Sequence, residues 1–414
     1  MTIMVFGADG YIGWPLSVRL AKELNEEIIG IDNLITRKLV EEVGGTSALP
    51  ILTPEERVKA YEKTYGKSNL KFIIGDLTDY EFVDKLIEKY KPHTVYHLAQ
   101  QRSAPYSMID VYHAAYTQVN NVLTNLNLIF AIKKHSPKTH IIKMGSMGEY
   151  GTPSYRIEEG WMNVQYKDKK YRIMIPRDPG SWYHVSKVFD TYNIIFANKI
   201  WGIRATDVQQ GVVYGSRTDD LVNNELNTRL DFDGVWGTVI NKYFAQIIAF
   251  NKILIYGTGL MKRSFLSLQD SIDCLFLLGQ KPADEGEYRV VNQMEEIYST
   301  IELAKKAKKI VSKYGFDPEF VRIPDPRVEK QRHKYSVSHR TLKKLGFKPK
   351  YSMDQVMEVI FNDLLSNQEI IKAHADAIWP RVYWDKLSEE NKQVYLNAIN
   401  KNLVSRSKSY ITNS

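Results

Sequence analysis

Tyr183 and Lys187 stand four residues apart in the segment WYHVSK. On a helix that spacing puts both side chains on one face. An ammonium beside a phenol favours the phenolate, so the tyrosine can take the proton of an alcohol that is being oxidised. The same Y-x-x-x-K pattern recurs at Tyr166 and Lys170, inside the charged stretch QYKDKKYR. No strand and loop precede that copy, and it reads as surface. The first copy opens the apolar helix VFDTYNIIFANKIWG and follows the loop KMGSMGEYG (143–151), whose Ser146 hydroxyl can share the substrate proton with Tyr183. The two residues after that serine, Met147 and Gly148, can neither give nor take a proton.

A partner for that alcohol chemistry is written into the N-terminus. Gly7, Gly10 and Gly13 form a G-x-x-G-x-x-G loop between the first predicted strand and the first predicted helix. Glycines there permit a tight turn and a close approach to a pyrophosphate, and the helix N-terminus supplies donors and a positive dipole. Asp32 ends the second predicted strand, where a carboxylate accepts hydrogen bonds from a ribose diol and repels a 2′-phosphate, which favours NAD over NADP. Asp76 closes the third in GDLTD, placed either to hold an adenine or to charge a helix N-terminus.

These residues need a scaffold, and the pattern predicts one. Short apolar strands at IMVFG (3–7), EIIGID (27–32), LKFIIGD (70–76), HTVYHLA (93–99) and THIIKMG (139–145) alternate with amphipathic helices. That alternation predicts an α/β, Rossmann-type doubly wound parallel sheet. Capping boxes at Thr53-Pro54-Glu55-Glu56 and Thr78-Asp79-Tyr80-Glu81 mark two helix starts. The connection 33–52 is long enough to read as functional. After about residue 210 the pattern loosens into short strands (253–257, 288–292), helices and the proline- and charge-rich loop 323–335. Residues 1–210 are therefore expected to form the dinucleotide domain, with 238–257 and 285–292 returning to it. Residues 211–414 are expected to form a smaller C-terminal α/β substrate lobe with a polar helical tail.

Composition narrows the class. Across 414 residues, 43% hydrophobic and 25% charged content is that of an ordinary globular chain with a sizeable core. Cys274 is the only cysteine, which rules out intramolecular disulfides and multi-cysteine metal sites. No apolar run reaches bilayer length, and the first residues start a strand rather than a signal peptide, so a cytoplasmic protein is expected. The net charge of +8 is carried by lysines on solvated helix faces such as IELAKKAKKIVSKYG, with no basic-aromatic nucleic-acid module. No metal site is expected.

The glycine loop, Asp32, His97-Leu98-Ala99, Ser146, Tyr183 and Lys187 together resemble the extended short-chain dehydrogenase/reductases that act on nucleotide sugars. Longer segments, QQRSAPYSMID (100–110), KMGSMGEYG, WYHVSK, WGIRATDVQQGVVYG (201–215), GTVINKYFAQ (237–246) and VNQMEEIYS (291–299), resemble the branch that joins sulfite to a UDP-sugar. The likeness runs from about residue 1 to 350. It implies NAD as a tightly held cofactor, UDP-glucose and sulfite as substrates, and a homodimer or dimer of dimers built on the helices near 109–134 and 183–200. It leaves open whether a donor protein brings the sulfite. Plain NAD-dependent 4-epimerisation or dehydration is the alternative. A dinucleotide- or RNA-binding scaffold is a further one, against which the intact Ser146, Tyr183 and Lys187 argue.

For the cofactor the resemblance implies Gly7, Gly10, Tyr11, Ile12, Gly13, Asp32, Asn33, Arg37, Asp76, Leu77, Leu98, Gln100, Asn121 and Gln210, with Tyr183 and Lys187. For the substrate it implies Gln101, Arg102, Ser146, Gln209, Thr238, Asn241, Arg263, Arg327 and His333, with arginines on the diphosphate, where planar guanidinium groups suit bidentate contact. Arg102 is a counter-charge for sulfite or diphosphate, or else one half of a salt bridge. The family's 4,6-dehydratases carry an Asp-Glu pair where this chain has Met147 and Gly148. That departure is expected to leave room beside C6 and to hand the C5 proton to Glu149 or His184.

Overall fold

Alternate residues of the predicted strands point to opposite sides of one sheet, and each side has its own apolar core. The computed structural model, which describes residues 1–328 and 335–384, contains a seven-stranded parallel sheet. Its strands are β1 (Thr2–Phe6), β2 (Glu27–Asp32), β3 (Leu70–Ile74), β4 (Thr94–His97), β5 (His140–Ser146), β8 (Ala205–Gln210) and β12 (Tyr288–Gln293), in the order β12-β8-β5-β4-β1-β2-β3. Met4, Phe6, Ile29, Val95 and Ile141 face α4 (Tyr80–Tyr90), α5 (Val111–His135) and α6 (Trp182–Trp201). Ile3, Val5, Ile28, Tyr96 and Ile142 face α1 (Gly13–Glu23), α3 (Pro54–Tyr65) and α8 (Leu268–Gln280). This is the two-sided winding that the period-2 alternation requires.

The order of strands reverses between β1 and β4, and ligands of such sheets sit outside the carboxyl ends of the strands at that point. The long connection after β2 is not a bare loop; it holds α2 (Ile35–Glu42) before α3 begins. The Thr53 capping box is present as predicted, with Thr53 Oγ1 accepting from Glu56 N at 3.3 Å. The second predicted box does not form. Asp79, not Thr78, caps α4, because its carboxylate reaches both Glu81 N and Phe82 N. The second Y-x-x-x-K copy lies on an exposed antiparallel hairpin, β6 (Trp161–Tyr166) and β7 (Lys169–Met174).

Beyond Gln210 the chain builds β9 (Val212–Tyr214), α7 (Val239–Phe250), β10 (Lys252–Tyr256), β11 (Lys262–Ser267), β13 (Glu296–Ser299), α9 (Thr300–Ser312) and β14 (Glu319–Ile323). Residues 288–293 return to the main sheet beside β8. Residues 238–257 contribute no strand to that sheet. β10 pairs only with β14, while α7 buries Ile240, Phe244 and Ile247 in the core that runs on from the main sheet. An apolar helix and strand look alike to either lobe, and only the partner strand, some sixty residues later, decides between them.

Candidate active site

The first βα turn is as tight as its glycines predict. A Cβ on Gly13 would lie 2.0 Å from the carbonyl oxygen of Gly7, so only glycine lets helix and strand meet there. Above the turn opens a cleft lined by Gly7, Gly10, Asp32, Asn33, Asp76, Leu77, Leu98, Gln100, Gln101 and Arg102 among others. Asp32 is set by hydrogen bonds from Asp9 N (3.0 Å) and Leu34 N (2.8 Å). Burial, with the nearby Asp9 charge, pushes its carboxyl up to about 6. A ribose diol would satisfy the acceptor lone pairs that remain.

Several expected cofactor residues act from behind this cleft. Tyr11 is buried and donates to Gly215 O at 2.6 Å, so its side chain ties the glycine loop to the second lobe. Arg37 grips Asp9 with two bonds of 2.8 Å instead of reaching into the cleft. Asn121 spends its amide on Gln101 and Ser186, fixing the segment after β4 against α6. Gln210 is bonded to Gln293 and Ser271. Ile12 precedes α1 at its N-cap.

At the end of β5 and the start of α6 the catalytic candidates come together. Burial, and after it the Glu149 charge, push the Tyr183 phenol well above its ordinary pKa; Asp190 adds to the rise, while Arg102 and the Ser146 hydroxyl oppose it. Lys187 Nζ lies 5.7 Å from the Tyr183 ring centre and donates to Met144 O at 2.6 Å. The Ser146 hydroxyl also accepts from Gly148 N, turning the loop back on itself.

The loop itself corrects two expectations. Met147 does not border open space; it is buried in a small apolar cluster with Ile157, Ile175, Met294 and Val337. Glu149 does not face the site either. It is fully buried, accepts from Ser146 N at 3.0 Å and pairs with Lys143 (3.4 Å) and Arg177 (3.3 Å). A carboxylate so occupied closes a capping box. His184 stands on the open side. Its Nδ1 is 2.9 Å from Ser181 Oγ, and its Nε2 lies 2.1 Å from where a Cβ on Gly148 would project. The imidazole therefore occupies the volume that any side chain at 148 would need.

Around the cleft, Arg102 forms a salt bridge with Asp231, which Arg229 also holds, and its guanidinium lies 5.4 Å from the Trp236 ring centre. Arg102 thus has the salt bridge that was its alternative role while still lining the cleft. On α7, Asn241 donates to Asp231 O, and neither its Oδ1 nor Thr238 Oγ1 has a partner among the described residues. Gln209 is fully buried with its whole amide unpartnered in the same sense. Arg327 lies 5.3 Å from the Trp384 ring centre and depresses Lys242, a buried lysine driven down to about 7 first by desolvation and then by that arginine. Arg263 sits on β11 opposite Tyr298. His333 lies outside the described residues. Asp9, Asp231, Lys242 and Asp190 went unnoticed in the sequence, although the pairing of charges in NTRLDFDG pointed toward Asp231.

A profile of the NAD-dependent epimerase/dehydratase family matches residues 3–292. The chain belongs to that family. As an NAD-dependent epimerase/dehydratase it is an enzyme with NAD as cofactor, and the glycine turn, Asp32 and the open cleft fit the dinucleotide. It is 43% identical to a UDP-sulfoquinovose synthase of Sulfolobus acidocaldarius, over 93% of this chain and 98% of that one. It is 39% identical to the chloroplastic UDP-sulfoquinovose synthase of Spinacia oleracea, over 93% and 79% respectively. Its fold is similar to that of a UDP-glucose 4-epimerase from Thermotoga maritima bound to UDP-glucose, with a TM-score of 0.66 at 20% identity over 88% and 99% of the two chains. No helix of the described residues is long and apolar enough to cross a membrane.

Proposed function

We propose that this epimerase/dehydratase is a UDP-sulfoquinovose synthase, converting UDP-glucose and sulfite into UDP-sulfoquinovose and water. The observation that carries this reading is the His184 imidazole lying over Gly148, beside Tyr183, in a loop whose only carboxylate is turned away from the site. The two relatives of that name support it.

Tyr183 takes the proton of the C4 hydroxyl, with Lys187 beside it to favour the phenolate and Ser146 to hold the oxygen. Bound NAD supplies the hydride acceptor for C4 and, at the end, the donor. The C4 ketone acidifies C5, and His184 removes the C5 proton. Loss of the C6 hydroxyl as water then leaves a conjugated enone, and sulfite adds through sulfur at C6. Arg102, cationic and at the cleft, is the counter-charge for the incoming anion. Thr238, Asn241, Arg263, Arg327 and Gln209 are assigned to the UDP-sugar, which would satisfy the unpartnered groups of Thr238, Asn241 and Gln209.

We read the assembly as a homodimer through α5 and α6. Tyr112, Val119, Phe130, Phe189, Tyr192 and Phe196 are exposed on these packed helices, an apolar patch of the kind that marks an interface. The cytoplasm is the proposed location, in keeping with the single cysteine, free and buried.

Incubation with UDP-glucose, with and without sulfite, tests the reading. A sulfite-dependent product that is heavier and more acidic than UDP-glucose is expected. Rapid formation of UDP-galactose with no sulfite-dependent product would overturn it in favour of 4-epimerisation.

A further inference from the structure

Asp190 lies on α6 one turn beyond the catalytic lysine and is fully buried. Its Oδ2 accepts a 2.5 Å hydrogen bond from Gln100 Nε2, and Gln100 Oε1 accepts from Lys187 Nζ. The second hydrogen on Gln100 Nε2 goes to Asn121 O at 3.0 Å. A carboxamide has one donor end and one acceptor end. With Asp190 and Asn121 O both demanding hydrogens, the amide is turned so that its oxygen faces the ammonium. The bridge therefore links a buried carboxyl to the catalytic lysine through one oriented side chain.

We propose that Asp190 is a positioning residue that orients Gln100 and keeps Lys187 protonated, and so sets the upper pH limit of the alcohol oxidation at C4. This rests on the reading that Tyr183 and Lys187 carry that step.

The surrounding charges single out Asp190. Lys187 is faced by Lys143 and Glu149 from β5 and its loop, by Asp207 from β8, by His97 from β4, by the Tyr183 phenol, and by Asp190 on its own helix. Burial drives the lysine pKa below its ordinary value. Among the charges that act on it, Asp190 has the largest influence, ahead of Lys143, and works in the opposite direction. Glu149 and Asp207 have cations of their own, since Lys143 is 3.4 Å from one and 3.2 Å from the other and Arg177 pairs with Glu149. His97 is held neutral, its pKa driven down to about 3 by burial and the two lysines. Among the described residues Asp190 makes no direct ion pair, and its Oδ1 has no hydrogen-bond partner. Burial pushes its own carboxyl up to about 7 against the pull of Lys143 and then Lys187, so it is ionised on the alkaline side, where its charge acts on both lysines and also on the Tyr183 phenol.

Replacing Asp190 by Asn removes the anion and allows Gln100 to turn over. Lys187 then loses its proton at lower pH, and a neutral lysine no longer favours the phenolate. The alkaline limb of the kcat/KM profile, measured by sulfite-dependent product formation, is expected to move down by about one pH unit, giving roughly tenfold lower activity on the alkaline side with a near-normal rate on the acid side. Gln100→Met, which keeps the carboxylate and cuts the bridge, is expected to move the same limb the same way and serves if Asp190→Asn does not fold. An alkaline limb unmoved in both variants, or a loss of activity uniform across pH, would overturn the inference. Wild-type enzyme run alongside separates the two layers. An active wild type with unmoved variants removes the Asp190 role alone, whereas a wild type that makes no product removes the functional reading and this inference with it.

Discussion

The two sides of the loop that ends β5 are chemically opposite. On the open side stand Ser146, Tyr183 and His184, three side chains with no carboxylate among them. On the buried side Lys143, Glu149, Asp207 and Arg177 form a charge cluster closed to solvent. Burial works to lower the Lys143 pKa, but Asp207 and Glu149 outweigh it and hold the lysine charged. Asp207 is correspondingly held below the usual carboxylate range by Lys143 and Arg177, against its own burial. Tyr288 and Thr191 complete its shell with bonds of 2.8 and 2.7 Å. The lesson is that ionic richness marks the support of this site and not its reacting face. The cluster fixes the backbone of the loop, and the sparse open side does the proton work.

The sharpest way to break that contrast is to mutate each side once. Tyr183→Phe is expected to lower turnover by about 10³-fold or more, with the thermal midpoint unchanged. Lys143→Met leaves two buried carboxylates facing each other and is expected to cost about 3–5 kcal/mol of stability, read by denaturant unfolding. A Lys143→Met protein of normal stability would sink the division of labour.

A finer test separates the two C5 candidates. His184→Gln is expected to abolish solvent-deuterium exchange at C5 of UDP-glucose while NAD stays bound. Glu149→Gln is expected to retain exchange and to lose stability, since Lys143 and Arg177 then lack half their counter-charge. Exchange lost in the second variant and kept in the first would return the base role to Glu149. Gly148→Ala probes the boundary between the two sides. Its methyl would collide with the imidazole and is expected to cost about 1–3 kcal/mol or to displace His184, seen as a fall in kcat with KM little changed.

The smallest expected effect lies at the cofactor end. Burial and Asp9 raise the Asp32 pKa from 3.8 to about 6. The NAD-free protein therefore binds a proton there that the unfolded chain has already released, and stability falls as pH rises from the unfolded value through 6. Asp32→Asn is expected to flatten that slope in melts of the stripped protein, and an unchanged slope would refute the assignment.

Much of this was readable in the sequence because it is local. The period-2 strands, the glycine turn, the Thr53 cap and the four-residue step from Tyr183 to Lys187 each depend on neighbours a few positions away. What was not readable is sidedness. At the end of β5 the chain enters a single helical turn, and whether Glu149 faces in or out depends on Lys143, Arg177 and Asp207, which lie on different elements. The same holds for Asp190, whose meaning comes from Gln100, and for Met147, whose burial comes from Ile175 and Val337. The space that the sequence suggests at 147 and 148 exists only at the glycine, and an imidazole from another segment fills it.

The last strand to enter the main sheet has a consequence for how the protein is made. β12 comes from residues 288–293 and lies beside β8, so the edge of the sheet stays open while the ribosome adds some eighty further residues, most of them belonging to the other lobe. Until then the nascent chain presents β8 as a bare hydrogen-bonding edge, a template for mispairing. No cut near residue 210 yields a finished dinucleotide unit. The two lobes must mature together, and a chaperone that shields the β8 edge would act at the step where this protein is most exposed.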